Sequence, residues 1–415
     1  MAAHARRLCA TLAAISIALL AGCKTPEAIK PVIPIPPPPP APTAPHQLSD
    51  DSPAFLRLPN MTGEKTPLRV GVILPFSNGS AGTKALANAM LKAAQLALYD
   101  SGNRDMVLMT ADDSQARPQE AAAAATRLLN QGAEIIIGPL FAGSVTAVAP
   151  IARDRGVPVL AFSTDRTVAG KGVYLLSFQP QNEVTRVVSY ALAQGHKNFA
   201  AMVPSNSYGD VTERAFREAV KEGGGTVSAV ERFPATGAGT AAAATAKAGA
   251  IAKTGADAVF IAQGGATLRG IAPNLDAGSG EGGGAKPKLL GTGLWDDLAI
   301  TREPALRDGW FAAPAPEIDR EFIAKYRSTF GAPPPQLAAL AYDAVSLIAL
   351  LGGGQPYHRF TAAALTDPNG FAGIDGIFRF TADGSIERGL SVLSVRPGGF
   401  AVISPAPATF QGKGS

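Results

Sequence analysis

Side chains able to do chemistry are sparse in this chain and lie far apart. His4, His46, His196 and His358 have no neighbours at metal-ligand spacing. The cysteines are Cys9 and Cys23, so no disulfide can form beyond residue 23. The chain has neither a Gly-x-Ser-x-Gly elbow nor a phosphate-loop lysine motif. Gly278-Ser279-Gly280-Glu281-Gly282-Gly283 matches a dinucleotide-binding pattern by letter, but Pro287 follows where a helix should, so it reads as a flexible loop. Carboxylates pair at Asp112-Asp113 and Asp296-Asp297; at the ends of strands they are expected to cap turns and helix starts rather than move protons. What remains are hydroxyls, an amide, a phenol and glycine N–H groups in short loops: Ser144, Ser163-Thr164 with Asp165, Tyr208, Gln263 and the stretch ending at Asp296. Such groups hold a small polar or anionic ligand by hydrogen bonds. No metal, cofactor or catalytic residue is expected.

The elements that would position these groups centre on Ala133–Thr164. Strand-like runs Ile135–Ile137 and Val157–Phe162 flank a helical stretch, Ser144–Asp154. The second run is too apolar for a strand with one wet face, as in parallel strands buried on both sides. A right-handed βαβ crossover then sends loops Pro139–Ser144 and Ser163–Thr167 out at one sheet edge, where open α/β sheets bind ligands. The alternation extends both ways. Strands are expected at Leu68–Leu74, Met106–Thr110 and Val173–Phe178, with helices at Thr83–Tyr99 and Gln119–Asn130. A second lobe repeats it, with strands Asn198–Val203, Thr226–Arg232, Ala258–Ala262, Pro287–Gly291 and Trp310–Ala313. Its helices are expected at Asn182–Gln194, Asp210–Lys221 and Thr240–Lys253, with late helices Glu321–Phe330 and Pro335–Leu351 and a terminal β segment Gly373–Val402. The fold class is therefore α/β, two doubly wound lobes.

Composition fits that size of core: 46% apolar, 17% charged, net charge +4 and pI near 9.0 over 415 residues. No Lys/Arg cluster is dense enough for a nucleic-acid surface, and 7% aromatic content argues against a base-stacking platform. Residues 1–22 read as a signal peptide, with Arg6-Arg7 ahead of an apolar Leu8–Leu20. It ends Leu20-Ala21-Gly22-Cys23, which resembles a bacterial lipobox with Cys23 as the lipidated residue that would fix the chain to a membrane. Residues 23–66 form a Pro-rich linker, expected to be disordered and biased to polyproline II, with a reach on the order of 100 Å if fully extended. The folded domain spans 67–405 and a polar tail 406–415; lobe 1 is expected at about 67–181 plus 319–350, lobe 2 at about 182–318 plus 351–405.

Several stretches carry a family resemblance: Val70-Gly71-Val72-Ile73-Leu74-Pro75, Asp112-Asp113 with Pro118 and Ala121, and Ile137-Gly138-Pro139-Leu140 with Ser144. Phe162-Ser163-Thr164, Asn206-Ser207-Tyr208-Gly209 and Tyr342-Asp343-Ala344-Val345 complete them. Across Leu68–Ile403 the chain resembles the type I periplasmic-binding fold, in the branch of leucine/isoleucine/valine-binding proteins. Within it, the lipobox, the proline spacer, Ile136–Val145 and Pro158–Gly170 are similar to penicillin-binding protein activator lipoproteins. The resemblance implies two lobes closing on a hinge cleft. It also implies a non-enzymatic, periplasmic, outer-membrane lipoprotein that regulates peptidoglycan synthesis by contacting a penicillin-binding protein or other cell-wall synthase. The alternative it implies is the solute-binding protein of an ABC importer for branched-chain or other amino acids or amides.

In amino-acid binders of this fold the ligand carboxylate would meet Ala142-Gly143-Ser144 and Ser163-Thr164-Asp165, and Tyr208 would face the cleft. Ala142 lacks a hydroxyl, and Asp165 adds a carboxylate that would repel a ligand carboxylate unless Arg166 offset it. The acid that usually receives the ligand ammonium would fall near Gly293; Asp296 is the near acid in sequence. The expected ligand set is Ser144, Ser163, Thr164, Asp165, Tyr208, Gln263 and Asp296.

Overall fold

A computed structural model describes residues 67–114, 117–237, 239–275 and 286–410. The signal peptide, Cys23, the proline-rich linker and the Gly-rich stretch 277–285 lie outside the described residues.

β1 (Leu68–Leu74) is buried along its whole length. It pairs in parallel with β2 (Met106–Asp112) on one side and β3 (Ile135–Ile137) on the other. β4 (Val159–Ala161) and β5 (Val173–Leu175) continue the sheet in parallel, giving the order β2-β1-β3-β4-β5. Successive strand side chains point to opposite faces. Val70, Val72 and Leu74 accordingly join one core with helix α1 (Ala81–Ser101), while Ile73 joins the other with α2 (Pro118–Asn130) and α3 (Ala142–Asp154). A strand covered on both faces has no reason to alternate with polar residues, which is why LRVGVIL is apolar apart from Arg69 near its start.

The chain then crosses to a second lobe through α4 (Pro180–Ala193). Pro180 occupies the first helical turn, where its missing N–H costs nothing, so the helix expected from Asn182 starts two residues earlier. Strands β6 (Asn198–Pro204), β7 (Thr226–Phe233), β8 (Ala258–Ile261), β9 (Lys288–Gly291) and β10 (Trp310–Ala313) form a parallel array. α4 and α5 (Ser207–Glu222) cover one face; α6 (Thr240–Ile251) and α7 (Gly265–Leu275) cover the other with Trp295. α7 was not expected from the sequence, since Gly265, Gly270 and an internal Pro273 weaken its helical signal.

Helices α8 (Arg320–Phe330), α9 (Ala338–Leu351) and a single turn α10 (Ala362–Leu365) return to the first lobe. A small antiparallel sheet follows: β11 (Phe371–Gly373), β12 (Gly376–Phe380) and β13 (Ile386–Arg388). Its Phe371, Phe378, Phe380 and Ile386 pack in the first-lobe core with Tyr174 and Leu340. Residues 360–386 thus belong with the first lobe, where the sequence placed 351 onward with the second. Only β14 (Ser391–Arg396) and β15 (Gly399–Ser404) go back, adding antiparallel to β10 and completing the order β15-β14-β10-β9-β8-β6-β7. The strands expected to reach Phe162 and Phe178 stop at Ala161 and Leu175, and the freed residues line the site.

Candidate functional site

The site lies where the carboxyl ends of both parallel sheets deliver their loops. At the end of β1, Phe76 N and Ser77 N donate to Asp112 Oδ1 at 2.9 and 3.3 Å, and Ser114 N donates at 3.0 Å. The Ser77 hydroxyl also donates to this carboxylate. Burial pushes the Asp112 carboxyl up, but the hydrogen bonds from Ser77, Ser114 and Phe76 more than offset it, so its pKa is lowered. Asp112 therefore holds the turn into α1, and Asp297 likewise caps a turn by accepting from Ala299 N at 2.8 Å. Both act as the turn caps expected from their positions.

The loop after β3 is set by Gly138, whose φ is +83°. A Cβ there would collide with the Ile73 carbonyl oxygen, so only glycine lets the loop fold back against β1. The loop ends in Phe141 at the start of α3, with no side-chain cap on that helix.

These turns surround a cavity of about 620 Å³. Leu86, Leu140, Phe162, Phe178 and Leu340 supply apolar walls, and Ser80, Ser163, Thr164, Asp165 and Ser177 supply polar groups. A second cavity, about 490 Å³, shares Thr164 and Asp165 with the first and continues to Ser207, Tyr208, Val211 and Arg214 of the second lobe. Three of the expected residues, Ser163, Thr164 and Asp165, thus meet at one place, with Tyr208 across the gap. The Ser163 hydroxyl accepts from Asp165 N at 3.1 Å, and Asp165 Oδ1 accepts from Thr167 N and Oγ1 at 2.9 and 2.7 Å. Tyr208 Oη and Thr292 Oγ1 lie 2.8 Å apart. Burial, with the Glu183 charge adding to it, pushes the Tyr208 phenol up despite the bond to Thr292.

The other expected residues are not brought to the cavities. Ser144 is fully buried inside α3. Gln263 lines neither cavity, and its backbone carbonyl accepts from the Trp295 indole N–H at 3.0 Å. Asp296 is exposed at its surface; protein crowding around the carboxyl, then Asp319 and Asp297, raise its pKa. Arg166 does not offset Asp165. Its Nε donates to Ser385 Oγ at 3.1 Å and a terminal nitrogen lies 3.6 Å from Asp383, so its charge belongs to the turn between β12 and β13.

The position near Gly293, where the family resemblance implies an acid and the loop itself has none, is reached from elsewhere. Glu183, in the first turn of α4, accepts from Gly293 N through Oε2 at 2.9 Å. The protein around this carboxyl pushes its pKa up to about 7, and the Gly293 bond offsets only part of that. The sequence signal for it was slight: a glutamate just after a proline at a helix start. Among the described residues, no cluster of His, Cys, Asp or Glu could hold a metal ion.

Two α/β lobes with parallel sheets, crossed three times by the chain and facing each other over a ligand-sized cavity, define a two-lobed binding protein. A family profile described as periplasmic binding protein matches residues 67–399, and the chain belongs to that family. It is 29% identical over 176 residues to Leu/Ile/Val-binding protein homolog 6 of Brucella abortus, a match that spans 40% of this chain and 44% of the relative. A putative branched-chain amino acid ABC transporter protein from Rhodospirillum rubrum superposes with a TM-score of 0.69 at 22% identity, covering 81% of this chain and 100% of that one. A solute-binding protein from Rhodopseudomonas palustris, in complex with 3,4-dihydroxybenzoic acid, gives a TM-score of 0.57 at 19% identity, over 82% of this chain and 97% of that one.

Proposed function

We propose that the protein is a non-enzymatic solute-binding protein that presents a small molecule to an ABC importer on the periplasmic side of the envelope. The observation that carries this reading is the pair of adjoining cavities, about 620 Å³ within the first lobe and about 490 Å³ walled by both lobes, which share Thr164 and Asp165. A ligand that reaches into the 490 Å³ cavity touches both lobes at once, so its binding energy favours lobe closure. The relatives' names point to branched-chain amino acids or an aromatic acid as candidates. Calorimetry with leucine and with 3,4-dihydroxybenzoate tests the reading. Binding of either, weakened by about 1–3 kcal/mol in Ser163→Ala and in Tyr208→Ala, supports it. No heat with any small molecule tried would sink it.

A second reading follows from Ala142 and Asp165, which leave a ligand carboxylate with one hydroxyl fewer and one repelling charge, and from the lipobox and proline run. In this reading the domain is carried by a lipid on Cys23 and regulates a penicillin-binding protein or another cell-wall synthase by contact, resembling activator lipoproteins. Lys24 stands where inner-membrane lipoproteins commonly have aspartate, which favours the outer membrane of a Gram-negative host. Retention of a solubilised synthase on the immobilised chain, with no ligand binding, would favour it. Cys23→Ser should leave the membrane fraction; a variant still bound there removes the anchor.

A further inference from the structure

The interlobe cavity of about 490 Å³ carries one acid and one base on each wall. The loop after β4 presents Asp165 and Arg166 from the first lobe, and α5 presents Arg214 and Glu218 from the second. Such walls are neutral in sum and complementary to each other, which suits two surfaces that meet better than a charged ligand held between them. Two of these groups have no ion-pair partner in their own lobe. Arg166 gives its Nε to Ser385 and lies 3.6 Å from Asp383, so it does not serve Asp165. Asp165 Oδ1 accepts from Thr167 N and Oγ1, neutral donors that leave Oδ2 open and the charge without a cation. Along α5, Glu213 is paired with Arg217 and Arg232 at 2.8 and 2.7 Å, and Asp210 with Arg232 at 2.7 Å. None of those three helix residues lines the cavity. Arg214 does, on the same helix face as Ser207, Val211 and Glu218, and it has no hydrogen-bond or ion-pair partner among the described residues. Glu218 stands four residues further on, but a base ahead of an acid is the weaker order for such a pair, and none forms.

We propose that Asp165 and Arg214 form an ion pair across the cleft when the lobes close, and that this pair holds the closed state. Lobes joined only by crossing segments close by bending about them. Pro180 and Gln181, at the start of the first crossover, line the same cavity, so its two walls approach each other as the hinge bends. A guanidinium has five N–H donors in a fixed fork, and charge-assisted bonds of this kind are the strong ones. Asp165 offers Oδ2 to that fork while Oδ1 keeps the loop in shape through Thr167. The carboxylate that would repel a ligand carboxylate thus serves closure instead of ligand contact. The pair forms between two parts of this chain and needs no ligand, so it goes beyond the solute-binding reading.

Hydrogen–deuterium exchange on the purified full chain, without ligand, reads the closed population. The reporting peptides cover 139–144 and 291–296, the loops after β3 and β9 at the carboxyl ends of the two sheets, and neither contains the pair. Asp165→Asn keeps an acceptor for Thr167 and removes the charge; Arg214→Gln removes the opposite charge. Each should speed exchange in both peptides several-fold with an unchanged melting temperature. The double variant should be no faster than either single one, because the two residues act only through each other. Arg214→Glu should be faster still, by repulsion from Asp165. Salt at about 1 M should bring the wild type to the level of the neutral variants and leave those variants where they are. Variants that exchange like the wild type, single effects that add, or a wild type indifferent to salt would each overturn the proposal. If Asp165→Asn does not fold, Arg214→Gln and the salt response decide it. Failure on these terms leaves the solute-binding reading standing, since no ligand enters the experiment.

Discussion

Asp112 illustrates a carboxylate whose value is positional. It collects two backbone N–H groups from the turn after β1, one from Ser114 and a hydroxyl from Ser77. Those bonds fix the path into α1 and therefore one wall of the larger cavity. Asp112→Ala should cost about 1–3 kcal/mol in urea denaturation, the cost of leaving such donors without their partner. The pH dependence has a defined sign. Because the folded-state pKa is lowered, the stabilisation is present above the unfolded-state value and is lost as pH falls through the folded one. Wild type should lose stability below about pH 4 more steeply than Asp112→Ala. Equal acid slopes would show that the hydrogen bonds do not discriminate the ionised form.

Among the elements, β1 was legible to the residue. Its run Val70–Leu74, broken only by the small Gly71, and the proline that ends it leave little else for that stretch to be. Ser163, Thr164 and Asp165 were legible as residues of the cavity lining because they follow directly on a buried parallel strand, where topology fixes the direction of the loop. Glu183 was not. Its partner, Gly293, is 110 residues away, and no local pattern encodes that contact. The lobe of β11 to β13 was illegible for a similar reason. Alternation in Ile377–Phe380 tells which side chains share a face, not which core that face meets.

The same three strands place a charged cluster at the crossovers. Arg388 donates Nε to Ser177 O at 3.2 Å and lies over the ring of Phe178, 4.7 Å from its centroid. Burial lowers the Arg388 pKa, and the charges of Asp343 and Asp375 work against that. Burial pushes the Asp375 carboxyl up to about 7 and outweighs the attraction of Arg388, with Asp343 and Asp319 adding repulsion. Burial likewise pushes Asp343 up to about 6, opposed by Arg388 and by the Ile374 N–H. A carboxyl with a raised folded-state pKa contributes stability that is full below the unfolded value and is lost as pH rises through the folded one. The melting temperature should therefore fall between about pH 5 and pH 8. Asp375→Asn should flatten that decline and leave stability at pH 8 equal or higher, because the neutral form is the one folding prefers. A variant less stable at pH 8, with the slope unchanged, would mean that the Arg388 attraction outweighs burial.

At the scale of the molecule, neither lobe is made from one continuous piece of chain. The first core takes Phe371, Phe378, Phe380 and Ile386 from beyond the second lobe. The second takes Val392, Leu393 and Val395 of β14, which lies beside β10 within the sheet. The ends are therefore structurally interlocked, with β14 shielding what would otherwise be an open edge at β10. Burying those aromatic and aliphatic side chains stabilises by about 1.5–3 kcal/mol each, so losing several exceeds the 5–15 kcal/mol that holds a typical domain. A chain ending at Leu351 should lose both lobes together, while one ending at Phe410 should keep its melting temperature. Circular dichroism with limited proteolysis reads the outcome. The intact protein should unfold in a single transition, and the Leu351 truncation should be digested throughout. A protected fragment spanning Asn198–Ala313 would show instead that the second lobe folds without its carboxyl-terminal strands.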